Sequence, residues 1–209
     1  MGSEQKNCID DIRAQAEAAI DAMGGSRAFV DALHKGSETE ALTRLKEDLA
    51  LVQFFEIYNR TNSPKLKCAA RNPAGPDRAD FTIWDESREW SRDMELTSVW
   101  EGEDDFPKVP DKEDPDVTHV WLSEPRLPLD ELRGELTRNI VRVLDSHARR
   151  RKYPPYWLAI YANVSTEAYK LPSDYVAKIV RERLAQKPPT SNVERVWVWN
   201  MRLDLVFPS

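Results

Sequence analysis

Apolar positions in the first third of the chain recur at the three-and-four spacing of helices. Residues 9–22 (IDDIRAQAEAAIDA) put Ile9, Ile12, Ala16, Ala19 and Ile20 on one side of a helix that Gly24-Gly25 should stop, and a short helical stretch follows over 27–34. From Thr39 a longer helix runs to the Asn62-Ser63-Pro64 break, with Leu42, Leu45, Leu49, Val52 and Glu56 on one stripe and Phe55 beside it. The period then changes. Segments 66–70, 79–84 and 92–99 read as three strands of an antiparallel meander, divided by the turn-like sequences NPAGPDR and DESREW. The apolar stretch His119–Leu122 precedes a second long helix, 129–151, whose face carries Leu132, Leu136, Ile140, Val143, Leu144 and His147. Pro154-Pro155 ends it. YWLAIYANV (156–164) is almost uninterruptedly apolar, as a strand buried on both faces should be. A helix over 173–186, capped by Ser173 and carrying Val176, Ile179, Val180 and Leu184, leads to strands at 193–199 and 203–207.

Composition narrows the class without changing this outline. The 209 residues suit one well-buried core, and no repeat or low-complexity linker divides them. With 41% hydrophobic and 32% charged residues the chain reads as globular with a heavily solvated surface. No apolar run reaches the roughly 20 residues of a membrane span, and the polar start lacks the order of a signal peptide, so a cytoplasmic protein without a membrane partner is expected. Cys8 and Cys68 read as two isolated thiols of a reduced compartment, since neither has metal-site spacing. The net charge of -6 argues against a broad basic nucleic-acid surface, but it is concentrated. Between Glu101 and Asp116 eight acidic residues face only Lys108 and Lys112, which accounts for the whole imbalance.

The candidate chemistry lies in the meander. Strand side chains alternate, so Asp80, Thr82 and Trp84 share one face, and Asp93, Glu95 and Thr97 share a face of the next strand. If these strands pair through the short DESREW turn, Asp80 and Glu95 can meet on one face. Two carboxylates held together repel unless a cation lies between them. Magnesium suits such a pair, because it takes one or two protein carboxylates and keeps positions for water and phosphate oxygens. A metal there would acidify a bound water and neutralise charge developing on a phosphodiester.

The stretch PDRADFTIWDESREWSRDMELTS (76–98) resembles the metal-binding core of the PD-(D/E)XK, or restriction-endonuclease-like, nuclease superfamily. The likeness extends over the order of elements from 39 to 164, which follows that fold's helix, three-strand meander, helix and strand. Residues 1–38 would then be an N-terminal helical extension, and 165–209 a C-terminal helix with two strands, of a single α/β domain. The resemblance implies a hydrolase that cleaves nucleic acid with magnesium or manganese. It makes Asp80 and Glu95 the metal carboxylates, lets the main-chain carbonyl of Leu96 complete the shell, and puts Thr97 where the family has lysine. That lysine orients the attacking water, and a threonine hydroxyl has no charge with which to do so. Lys67 or Arg133 are the cations available to replace it. Many members add a glutamate from the first core helix, a position matched by Glu56, with Glu47 as the fallback. The loss of lysine also fits a second reading, a catalytically inactive nuclease-fold module that binds nucleic acid or a partner protein.

Other features have plainer explanations. His147 falls within an apolar stripe, where a hydrogen-bonded core histidine is the ordinary expectation. His34 and His119 have no partner at ligand spacing. Arg149–Lys152 could hold a phosphate backbone, although cations at a helix C-terminus are favoured by the dipole alone. Tyr156, Trp157, Trp197 and Trp199 could stack on bases, but aromatics on strands belong to cores. Seven glycines leave little room for a phosphate-cradling loop.

Overall fold

A computed structural model describes residues 7–34, 39–73, 75, 78–87, 89–100, 129–148, 154–163, 172, 174–199 and 203–208. Its elements are β1 (Asn7–Cys8), α1 (Ile9–Ala22), α2 (Ser26–His34), α3 (Glu40–Thr61), β2 (Leu66–Arg71), β3 (Phe81–Asp85), β4 (Ser91–Trp100), α4 (Leu129–His147), β5 (Tyr156–Asn163), α5 (Tyr175–Gln186), β6 (Val193–Trp199) and β7 (Leu203–Phe207). The expected helices and strands are therefore present, and the chain is of mixed α/β class. The stretches 101–116, His119–Leu122 and Arg149–Lys152 lie outside the described residues. So does Ser173, and α5 begins at Tyr175 rather than at the expected serine cap.

The strands form one open mixed sheet in the order β1-β2-β3-β4-β5-β6-β7, so neighbours in space are neighbours in the chain. β1 to β4 pair antiparallel, β4, β5 and β6 run parallel, and β7 returns antiparallel to β6. Parallel neighbours need a crossover connection, and α4 and α5 lie in the two that this topology demands. Among the described residues no helix is long and apolar enough to cross a membrane.

Two apolar clusters occupy opposite faces of the sheet. On one, α4 and α5 bring Leu136, Ile140, Leu144, Val176, Val180 and Leu184 against Val99, Leu158, Ile160, Val196 and Val198. On the other, α3 brings Leu51, Phe54, Phe55 and Tyr58 against Phe81, Ile83, Met94, Leu96, Trp157, Trp197 and Trp199. β5 lies between them with Tyr156, Trp157, Leu158, Ala159, Ile160 and Ala162 all buried, as its apolar run requires. The four aromatics proposed as stacking surfaces belong to this core: Tyr156, Trp157, Trp197 and Trp199 are all buried. Arg195 stacks its guanidinium 4.9 Å from the centroid of Trp157, and burial raises the pKa of Tyr58 although Arg195 opposes the shift.

Polar contacts fix how the helices meet the sheet. Asn59 of α3 receives the Leu66 amide on Oδ1 and donates from Nδ2 to the Leu66 carbonyl, both at 2.8 Å, so the end of α3 is clamped to the start of β2. In the other layer Asp145 of α4 accepts from Arg183 at 2.6 Å and Lys187 at 3.2 Å, joining α4 to the end of α5. The Arg183 hydrogen bond, outweighing the opposing effect of burial and assisted by Lys187, lowers the Asp145 pKa from 3.8 to about 2. A carboxyl whose folded pKa is depressed adds stability above its unfolded pKa and loses it as pH falls through the folded one. Asp145→Asn should therefore destabilise the protein at neutral pH, and the difference from wild type should vanish between pH 4 and about pH 2 in urea unfolding curves.

Candidate functional site

The register of β3 and β4 decides whether the candidate carboxylates meet. Phe81 pairs with Met94, Thr82 with Asp93 and Trp84 with Ser91, so the β3–β4 ladder ends one step short of Asp80 and Glu95. Asp80 precedes β3 rather than lying within it. Its main chain is outside the β3–β4 ladder, and its Oδ2 accepts the Leu96 amide at 2.8 Å in place of a strand partner. Because the N–H and C=O of one strand residue point to the same neighbour, the Leu96 carbonyl also faces the Asp80 side. Asn72 secures this corner: its amide donates to the Asp80 carbonyl at 2.8 Å and its Nδ2 to the Ala79 carbonyl at 2.9 Å. Thr82 then links Asn72 to Asp93, donating to either oxygen at 2.9 and 2.8 Å.

Glu95 is buried to 2% exposure on the face covered by α4. Parity leaves it no other place, since Met94 and Leu96 on either side of it enter the α3 cluster. His147, at the end of α4, comes down onto it: Nδ1 lies 2.8 Å from Glu95 Oε1, and Nε2 lies 3.5 Å from Thr97 Oγ1, at the outer limit of hydrogen bonding. The imidazole thus bridges the first and third residues of the Glu95-Leu96-Thr97 triplet. His147 is the hydrogen-bonded histidine that its stripe suggested, and its partner is the central candidate carboxylate. No periodicity within one element could have paired residues 52 positions apart in the chain.

Glu56 is not part of this arrangement. The expected stripe placed it in line with Val52, but the C-terminal half of α3 docks through Leu51, Phe54, Phe55 and Tyr58, whose larger apolar area turns Glu56 outward. Glu56 pairs with Arg13 of α1 at 2.8 Å, in the layer on the far side of the sheet. Glu47 is also on α3 and pairs with Arg71. Neither substitute cation reaches the carboxylates. Lys67 contacts Glu86 at 3.4 Å near the opposite end of the β2–β3 ladder, where Leu66 pairs with Asp85. Arg133 precedes His147 by about four helical turns, roughly 21 Å, and pairs with Asp130 at 3.5 Å.

Among the described residues no three His, Cys, Asp or Glu side chains gather as a metal-binding group. Asp80 and Glu95 are two carboxylates, and magnesium takes one or two from a protein while filling its remaining positions with water, carbonyl and phosphate oxygens. A carboxylate accepts several bonds at once, so the contacts to Leu96 and His147 orient these groups without using up their capacity. Compared with known proteins, the chain matches no family model, no curated protein and no solved structure.

These contacts predict which substitutions the fold tolerates. Asp80→Ala strands the Leu96 amide and should cost about 1–3 kcal/mol, whereas Asp80→Asn retains an acceptor and should cost less. His147→Ala leaves the buried Glu95 carboxylate without its imidazole and should cost about 2–4 kcal/mol. Urea unfolding of the three variants against wild type measures each difference.

Proposed function

We propose that this chain is a divalent-metal-dependent nuclease of the PD-(D/E)XK kind, in which His147 takes the place of the family's lysine. The observation that carries the reading is that Asp80 caps the amide next to Glu95 while an imidazole bridges Glu95 and Thr97. The element order α3, β2, β3, β4, α4, β5 supports it, because it follows the restriction-endonuclease-like core.

In this reading magnesium or manganese, when bound, activates a water and neutralises charge on the scissile phosphate. Asp80, just before β3, and Glu95 of β4 would hold the metal, each kept in position by a hydrogen bond to the Leu96 amide or the His147 ring. The Leu96 carbonyl would be the third protein oxygen available to it. His147 supplies beside Thr97 the nitrogen that a threonine hydroxyl lacks, and Glu95 on Nδ1 fixes the ring so that Nε2 is presented along the strand. From there it can donate to a phosphate oxygen or take a proton from the attacking water. Aligning that water in line with the leaving oxygen falls to the rigidity of β4, which is paired on both sides.

A second reading, an inactive module of the same fold that binds nucleic acid or a partner protein, draws support from Thr97 itself and from the net charge of -6. Fold alone does not separate the two, and activity does. Cleavage of single-stranded DNA, double-stranded DNA and RNA is measured with magnesium, with manganese and with EDTA. Wild type is expected to cut only with metal, and Asp80→Asn, Glu95→Gln and His147→Ala should each slow it by roughly 100-fold or more. Folded wild-type protein that cuts none of the substrates, or cuts equally well as Glu95→Gln, rejects the nuclease.

A further inference from the structure

The two cysteines, read from the sequence as isolated, face one another across the first strand pair. β1 pairs antiparallel with β2 in the register Cys8↔Cys68, and the two Sγ atoms are 3.8 Å apart. Directly opposed residues of an antiparallel pair have Cα atoms about 4.5–5.5 Å apart, within the roughly 4.4–6.8 Å that a disulfide spans. Rotation about the side-chain bonds is then enough to bring the sulfurs to bonding distance. Cys8 is half-buried, whereas Cys68 is buried beside Ala70 and Trp84, so one sulfur meets an incoming reagent and the other waits behind it. The residue that follows Cys8 begins α1, and the Cys8 amide donates to Asp11 Oδ2 at 3.2 Å.

We propose that Cys8 and Cys68 form a reversible dithiol–disulfide pair that, when oxidised, fastens β1 and the head of α1 to the edge of the sheet. The oxidant is a small-molecule disulfide of the glutathione class. The Cys8 thiolate attacks one sulfur of it, releasing one glutathione thiolate and leaving a mixed disulfide at Cys8. The Cys68 thiolate then attacks Cys8 Sγ, the Cys8–glutathione bond breaks, and the second glutathione leaves. Two protein thiols are oxidised, one small disulfide is reduced, and the two cysteine protons pass through solvent to the departing thiolates.

The consequence lies in what two residues of strand can hold. In the thiol form β1 is tied to β2 by a ladder of only two residue pairs, and its loss would uncover the β2 edge to pairing with another chain. In the disulfide form the link closes a loop that contains α1, α2 and α3, so unfolding no longer releases that whole segment. The site is separate from the carboxylates under α4, and the pair operates whether or not the chain cuts nucleic acid.

The test incubates the full chain with oxidised glutathione and maps its peptides without reductant. The expected product is a monomer in which the Cys8 and Cys68 peptides are joined, lighter by the two hydrogens lost, and restored by dithiothreitol. Its Tm should exceed that of the thiol form by about 10 °C, and Cys8→Ser should keep the thiol-form Tm and show no rise. Thiols left intact, glutathione adducts without the internal link, a link between two chains, or a link that leaves Tm unchanged would each overturn the proposal.

Discussion

The alternation of side chains across the sheet is the constraint on which the rest of this structure depends. A helical layer covers each face, so every residue of the central strands is committed to one layer or the other, and shifting a strand by one position would exchange its two sets. β4 shows the effect most sharply. Met94 and Leu96 must enter the aromatic layer under α3, and that obligation points Glu95 and Thr97 at α4. A polar pair beneath a helix is costly unless it is answered, and His147 answers both residues with one ring.

The same commitment explains why the two layers differ in character. The α3 side is filled with large rings, Phe54, Tyr58, Trp157, Trp197 and Trp199 among them, whose centroids lie 5.4 to 6.3 Å from one another where they touch. The α4 and α5 side is built from smaller branched residues, with a polar margin running from Asn72 just past β2 through Thr82 and Asp93 to Glu95 and His147. The candidate residues gather at that margin because the β3–β4 ladder ends there. Asp80 can cap the Leu96 amide only where the main chain of β3 has turned away.

How much of this could be read from the sequence follows from how local each signal is. The helices and strands were legible because their periods repeat within a few residues, and the pairing of β3 with β4 was legible because a short turn joins them. Glu56 was misplaced because α3 carries two competing apolar stripes. Its N-terminal half serves α1 and α2 through Leu42 and Leu45, while its C-terminal half turns Phe54, Phe55 and Tyr58 to the sheet. Residues on one stripe of a single helix thus answer to different neighbours. The contact between His147 and Glu95 depends on where α4 ends over β4, and the meeting of Cys8 with Cys68 depends on a strand of two residues, too short to show any alternation.

The order of the strands has a consequence for how the chain is made. Each strand pairs with the one synthesised just before it, from β1 through β7, so the sheet can be assembled from one side as the polypeptide emerges. Among the described residues no strand has to be inserted between two that are already joined. The growing edge always belongs to the newest strand, and the next strand to leave the ribosome is the one that covers it.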